Sequence, residues 1–256
     1  NKNSKQIKNY FRQLLKRKNQ VIQSLSINYK DSFTIKDTKK YKNFQNLRVI
    51  GMGGSSLGSE AIYDFLKKKI KKNFSFFDDL DVSNKIKNDK KCLNLIVSKS
   101  GETVETIVNS NLIIKGKDKN LFITENKDNY LYRLALKLKA EVIHHNNFIG
   151  GRYSVLSETG MLPAELMGLD VKKFRQLNNL IKNKNYLNCL ISNVGSIIKF
   201  IKNKKYNSII INYDENSETI FKWYQQLVAE SLGKKNQGIL PIISNMPKDN
   251  HSVMQL

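Results

Sequence analysis

The chain has 256 residues, 40% of them hydrophobic, and 44 lysines and arginines against 22 aspartates and glutamates give a formal charge of +22. That length can bury one large core or two small ones, no apolar run is long enough to span a bilayer, and the polar start at residues 1–17 lacks a signal-peptide core. The two cysteines, Cys92 and Cys189, lie far apart without metal-ligand spacing, which argues against a disulfide framework and a zinc site and fits a soluble, cytoplasmic protein.

Residues 1–30 predict one or two amphipathic helices, with Ile7, Tyr10, Phe11, Leu14 and Leu15 on one stripe. Residues 31–46, polar and lysine-rich, read as a connector. From Leu47 onward strands and helices alternate: strand 47–50, helix 59–72, strand 74–77, a short helix near Asn84, strand 93–97, helix 102–115, strand 121–124, helix 129–139 and strand 141–143. Such alternation predicts an α/β fold, a doubly wound parallel sheet with both faces covered. A glycine-bearing loop at 149–154 then leads to helices at 160–168, 172–182 and a third carrying Leu190, Val194, Ile197, Ile198 and Ile201 on one face. A second series opens with strand 208–212, helix 217–232 and strand 238–243. Three regions follow: a helical segment and connector at 1–46, a first α/β unit at 47–168, and the start of a second at 169–256, whose two visible strands predict an incomplete unit.

Two strand-to-helix junctions are rich in small residues. One is Gly51-Met52-Gly53-Gly54-Ser55-Ser56-Leu57-Gly58; the other is Ser98-Lys99-Ser100-Gly101-Glu102-Thr103, between an apolar strand and a helix. Helix N-termini carry unpaired N–H groups and partial positive charge, so Ser55, Ser98, Ser100 and Thr103 could converge on one phosphate at the carboxyl edge of the sheet. Ser100 could equally be a plain helix cap. A dinucleotide fingerprint would need glycine at position 56, which is serine, and there is no Gly-Lys-Ser/Thr of a P-loop. A small anion fits these turns better than a nucleotide.

Read in order, these two motifs, then Ile149-Gly150-Gly151-Arg152-Tyr153-Ser154-Val155-Leu156-Ser157, then Trp223 through Gln226 and Glu230 to Lys234, then His251-Ser252-Val253-Met254-Gln255, resemble the phosphoglucose isomerase family of the sugar isomerase (SIS) fold. The resemblance runs from residue 51 to residue 255 and implies interconversion of glucose 6-phosphate and fructose 6-phosphate through a cis-enediol, without metal or organic cofactor. It implies that Ser55, Ser98, Ser100 and Thr103 hold the phosphate, with Gly54, Lys99, Gly151 and Gln226 also at the substrate. It further implies that Glu230 is the base, that Arg152 stabilises the enediolate, and that His251 assists ring opening from the neighbouring subunit of a homodimer. Ser56, Asn250 and Met254 depart from residues common in the family, and family members continue through a C-terminal helix bearing a substrate-contacting lysine.

The residue chemistry is compatible with those roles. One carboxylate suffices to move a proton from C2 to C1, and Glu230 shares a helix face with Gln226. Arg152 after two glycines could meet a developing oxyanion, and an imidazole at 251 could shuttle a proton between ring oxygens. Taken singly, each could instead be a surface charge, and His144 and His145 match no motif. Lysines spread with asparagine and isoleucine through every segment, without interleaved aromatics, predict a solvated face and no nucleic-acid platform or membrane partner. The alternatives are another SIS-fold sugar-phosphate isomerase and a non-catalytic sugar-phosphate-binding protein.

Overall fold

The computed structural model describes residues 2–80, 91–235 and 237–255, so the helix expected near Asn84 lies outside the described residues. The chain enters through α1 (Lys2–Lys16) and α2 (Gln20–Ser24). The expected connector holds a further short helix, α3 (Ile35–Lys39). Thr34 starts it: its backbone N–H and its hydroxyl both donate to Asp37 Oδ2, at 2.6 and 2.8 Å, and this local exchange was hidden by the lysine-rich composition. Tyr41 then inserts into the core at 1% exposure and donates to Glu141 Oε2 at 2.8 Å.

Five runs dense in β-branched, leucine and aromatic residues form the main sheet: β1 (Asn46–Gly51), β2 (Asn73–Phe77), β3 (Cys92–Val97), β4 (Lys119–Thr124) and β5 (Glu141–His144). All pair in parallel, in the order β2-β1-β3-β4-β5. Parallel neighbours require crossovers, and α4 (Leu57–Leu66), α5 (Val104–Ile113) and α6 (Tyr130–Lys137) supply three of them. Both faces are buried, as strands of this composition demand. Leu47, Val49, Leu93, Leu95, Val97, Leu121 and Ile123 face a core shared with α4 and α7 (Glu158–Leu166), whereas Ile50, Ile96 and Phe122 face one shared with α5 and α6.

Beyond α7 the expected helix at 172–182 is broken into a 3-10 turn, Val171–Phe174, and the short α8 (Leu177–Leu180). The cause is Arg175. Its backbone leaves helical geometry at φ −96°, ψ 69°, and its guanidinium turns inward to bond both carboxylate oxygens of Asp31 at 2.9 and 2.6 Å and the Leu156 carbonyl. Helix α9 (Lys184–Lys202) lies along α1 and shares an apolar groove with it.

The last elements are β6 (Asn207–Asn212), α10 (Glu218–Leu232) and β7 (Leu240–Asn245), the strands pairing in parallel as a two-stranded sheet. Helix α10 does not stay over its own strands alone. It packs on α4, with the Thr219 hydroxyl donating to Asp64 Oδ2, so a helix of the second series covers the first. Among the described residues no helix is long and apolar enough to cross a membrane.

Burial pushes the Asp31 carboxyl above its ordinary range, against the opposing pull of Arg175, which is itself buried. Removing one side strands a desolvated charge. Arg175→Leu is therefore expected to destabilise the protein by about 3–5 kcal/mol, read from the midpoint of urea unfolding, and adding Asp31→Asn should recover part of the loss.

Candidate active site

In the order β2-β1-β3-β4-β5 the chain runs outward in both directions from β1 and β3, so the turns leaving these two strands diverge and open a crevice between them. Gly51 and Val97 are register partners at the carboxyl ends of these strands. The turn after β1 is a single 3-10 turn, Gly53–Ser55, and the turn after β3 runs from Ser98 to Thr103. The two hydroxyl-rich junctions expected from the sequence therefore adjoin.

The second turn is held by its own side chains. Ser98 Oγ accepts from the Gly101 N–H at 3.2 Å and shares a hydrogen with Thr103 Oγ1 at 3.0 Å, while Ser100 Oγ accepts from the Glu102 N–H at 3.2 Å. Gly101 has φ +70°, and a Cβ there would lie 1.9 Å from Asn129 Oδ1, the atom that caps α6 through the Tyr132 N–H. No side chain fits at that position. Lys99 does not join the turn's hydroxyls: its ammonium donates to the Asn147 carbonyl at 2.7 Å and pairs with Glu125 at 3.5 Å.

A third segment closes on the first. The expected loop at 149–154 is instead a 3-10 helix, Gly151–Leu156, pressed against the Gly53–Ser55 turn so tightly that a Cβ on Gly54 would sit 2.3 Å from the Gly151 carbonyl carbon. Ser154 Oγ, buried, donates to the Gly151 carbonyl at 2.7 Å and to that of Gly54 at 3.3 Å. This contact delivers Arg152 to the face of α10. The Gln226 amide lies over Gly53, and its Oε1 is buried with no hydrogen-bond partner among the described residues.

One turn further along α10, Glu230 Oε1 accepts from Arg152 Nη1 at 2.8 Å, and Ser231 Oγ accepts from Arg152 Nε at 2.9 Å. Tyr153 completes the group. Its hydroxyl is 2.7 Å from Ser231 Oγ, and its ring lies 4.5 Å beneath the guanidinium. Burial opposes the guanidinium's charge, but Tyr153 and Glu230 outweigh it and hold Arg152 above its usual pKa. Burial likewise opposes ionisation of Tyr153, yet the Ser231 hydrogen bond and the neighbouring cation draw the phenol below its ordinary value.

Of the residues expected from the sequence, Gly54, Ser55, Gly151, Arg152, Gln226 and Glu230 therefore lie on the elements that meet here, with Ser98, Ser100 and Thr103 on the adjoining turn. His251 does not meet them. It ends a 3-10 turn, Lys248–His251, after β7, with its imidazole exposed and hydrogen-bonded to no described residue. His145, which matched no motif, is buried beside Asn146, and burial lowers its pKa. The sequence reading missed Tyr153 and Ser231 as site residues. Each merely follows a singled-out residue, and no spacing rule indicates that both would meet one guanidinium.

The family model described as "Phosphoglucose isomerase" matches residues 29–239. The chain is 34% identical over 251 residues to the glucose-6-phosphate isomerase of Methanocaldococcus jannaschii, covering 90% of this chain and 62% of that protein. It is 33% identical over 248 residues to the glucose-6-phosphate isomerase of Acholeplasma laidlawii, covering 85% of this chain and 57% of that protein. The chain thus spans about three fifths of the length of these curated relatives. Among solved structures, a hypothetical protein from Thermus thermophilus superposes with a TM-score of 0.76 at 20% identity, over 99% of this chain and 66% of that one. The tagatose-6-phosphate ketose/aldose isomerase from Escherichia coli superposes with a TM-score of 0.56 at 14% identity, over 87% of this chain and 61% of that one. Likeness at these identities speaks for the shared SIS-type α/β fold, while the family match extends over the sheet, the Arg152 segment and α10 together. The chain belongs to the phosphoglucose isomerase family.

Proposed function

We propose that this chain carries the central machinery of an aldose-ketose isomerase that interconverts glucose 6-phosphate and fructose 6-phosphate in the cytoplasm. In this reading residues 47–168 are a first SIS-type unit and 169–256 the start of a second, preceded by the helical segment 1–46. The observation that carries the reading is the 2.8 Å contact of Arg152 with Glu230 beside the Gly53–Ser55 turn. A carboxylate, a guanidinium and a ready anion seat then stand in one crevice, which is what an enediol reaction on a phosphorylated sugar requires.

The steps follow from what each group can do. The sugar's phosphate takes the N–H groups and hydroxyls of the two turns, at Ser55, Ser98, Ser100 and Thr103, with Gly54 and Gly151 allowing close backbone approach. Gln226, whose amide lies over Gly53, is placed to meet a sugar hydroxyl at the edge of that turn. Glu230 as carboxylate removes the C2 proton, the electron pair forms the C1–C2 double bond, and charge develops on the carbonyl oxygen at C1. Arg152 lies beside Glu230 to meet that charge. The proton on O2 passes to O1, and the same carboxyl group returns the abstracted proton to C1 on the same face, which leaves the carbonyl at C2. The reaction moves protons between adjacent carbons and consumes no oxidant, so proton-transfer groups account for it without an added cofactor. We assign ring opening to His251, acting in the site of a neighbouring protomer of a homodimer.

Glu230→Gln in the full-length protein is expected to lower kcat in a coupled hexose-phosphate assay by about 10²–10⁴-fold while calorimetric binding of the sugar phosphate persists. Activity at the wild-type level would remove Glu230 from the mechanism. Gly54→Ala forces the two turns apart; it is expected to cost about 1–3 kcal/mol of stability and to weaken inorganic phosphate binding measured by calorimetry.

A further inference from the structure

We infer that Ser231 and Tyr153 are positioning residues that clamp the Arg152 guanidinium against Glu230, so that the cation is already in place when charge develops on the substrate. The inference rests on the isomerase reading for the reaction it serves; its geometric basis is independent of that reading. An arginine on a 3-10 turn has several rotatable bonds and, left to itself, samples solvent. Here three separate groups restrain it: Ser231 Oγ on Nε at 2.9 Å, Glu230 Oε1 on Nη1 at 2.8 Å, and the Tyr153 ring, whose centroid lies 4.5 Å from the guanidinium carbon.

The direction of the first hydrogen bond is fixed by chemistry. Arg152 Nε can only donate, so Ser231 Oγ accepts from it, and the serine's own hydrogen is free to go to the Tyr153 oxygen 2.7 Å away. Tyr153 accepting that hydrogen agrees with the downward shift of its phenol. The serine thus links ring and cation, and it does so from α10, one residue beyond the proposed base. Glu230 and Ser231 are consecutive on a helix whose end is tied down by the Gly233 N–H to the Ala229 carbonyl at 2.8 Å. Base and clamp therefore move as one body. A guanidinium pre-set in this way loses little on reaching the transition state, and a misplacement of about 1 Å at such a group costs about 10²-fold in rate.

The test uses Ser231→Ala, Ser231→Thr and Tyr153→Phe in the full-length protein, alone and in an Arg152→Lys background. For Ser231→Ala we expect kcat to fall about 10–100-fold with KM changed less than about threefold, because the lost interaction acts mainly in the transition state. Ser231→Thr, which keeps the hydroxyl, should restore most of the rate. In the Arg152→Lys background Ser231→Ala should cost less than about twofold more, since the group it positions has gone.

Tyr153→Phe retains the ring, removes the hydroxyl and serves as the second variant should Ser231→Ala fold poorly. Nuclear magnetic resonance of the Arg152 Nε–H gives a readout that needs no activity: its hydrogen exchange should quicken about tenfold in Ser231→Ala. An active wild type with unchanged kcat in Ser231→Ala, a full additional loss in the Arg152→Lys background, or an unchanged Nε–H exchange rate would each overturn the clamp. A wild type that binds hexose phosphate without interconverting it overturns the isomerase reading alone, and the exchange measurement then decides the clamp.

Discussion

The constraint on which the site depends is the contact of two stretches of backbone, Gly54 against Gly151. A Cβ at position 54 would lie 2.3 Å from the Gly151 carbonyl carbon, closer than any side chain can be accommodated without movement. Because nothing intervenes, the turn leaving β1 and the 3-10 helix carrying Arg152 share one surface, and Ser154 ties both carbonyls with one hydroxyl. Arg152 reaches α10 from there. Were the turns a side chain's width apart, the guanidinium and Glu230 would not meet at hydrogen-bond distance.

Two packing arrangements hold that contact in register. On one side, α10 lies on α4, the helix that follows the glycine turn, and the Thr219–Asp64 hydrogen bond fastens its first turn. The helix bearing Gln226, Glu230 and Ser231 is thereby indexed to the same element that ends the Gly53–Ser55 turn. On the other side, the buried Arg175 grips Asp31 from the N-terminal segment and the Leu156 carbonyl at the end of the Arg152 helix. The N-terminal segment thus braces the end of the Arg152 helix.

The electrostatics of the site follow from this geometry and not from the net charge. The lysines and arginines behind the formal charge of +22 are spread along the sequence, whereas Arg152 is half-buried, held over the Tyr153 ring and opposed by one carboxylate. Partial burial weakens solvent screening between Arg152 and its neighbours, which is why the arginine and the tyrosine shift in opposite directions, each stabilising its charged form.

By itself the sequence determined what local periodicity and turn chemistry encode. Apolar runs at 47–50, 74–77, 93–97 and 121–124 became parallel strands, and the glycine-and-hydroxyl junctions after two of them became the adjoining turns, because strand, turn and helix start are written in neighbouring residues. Motif order also sufficed for the family. What only the tertiary structure decided is non-local: the strand order that opens a crevice between β1 and β3, the break at Arg175 imposed by an aspartate 144 positions earlier, and the meeting of one guanidinium with two consecutive residues of α10 nearly eighty positions away. Lys99, placed by its neighbours in sequence among the hydroxyls of the turn after β3, turns instead to Asn147 and Glu125. A side chain's partners are set by which surfaces the core brings together, and that sum over many weak apolar contacts is not carried by any single stretch of chain.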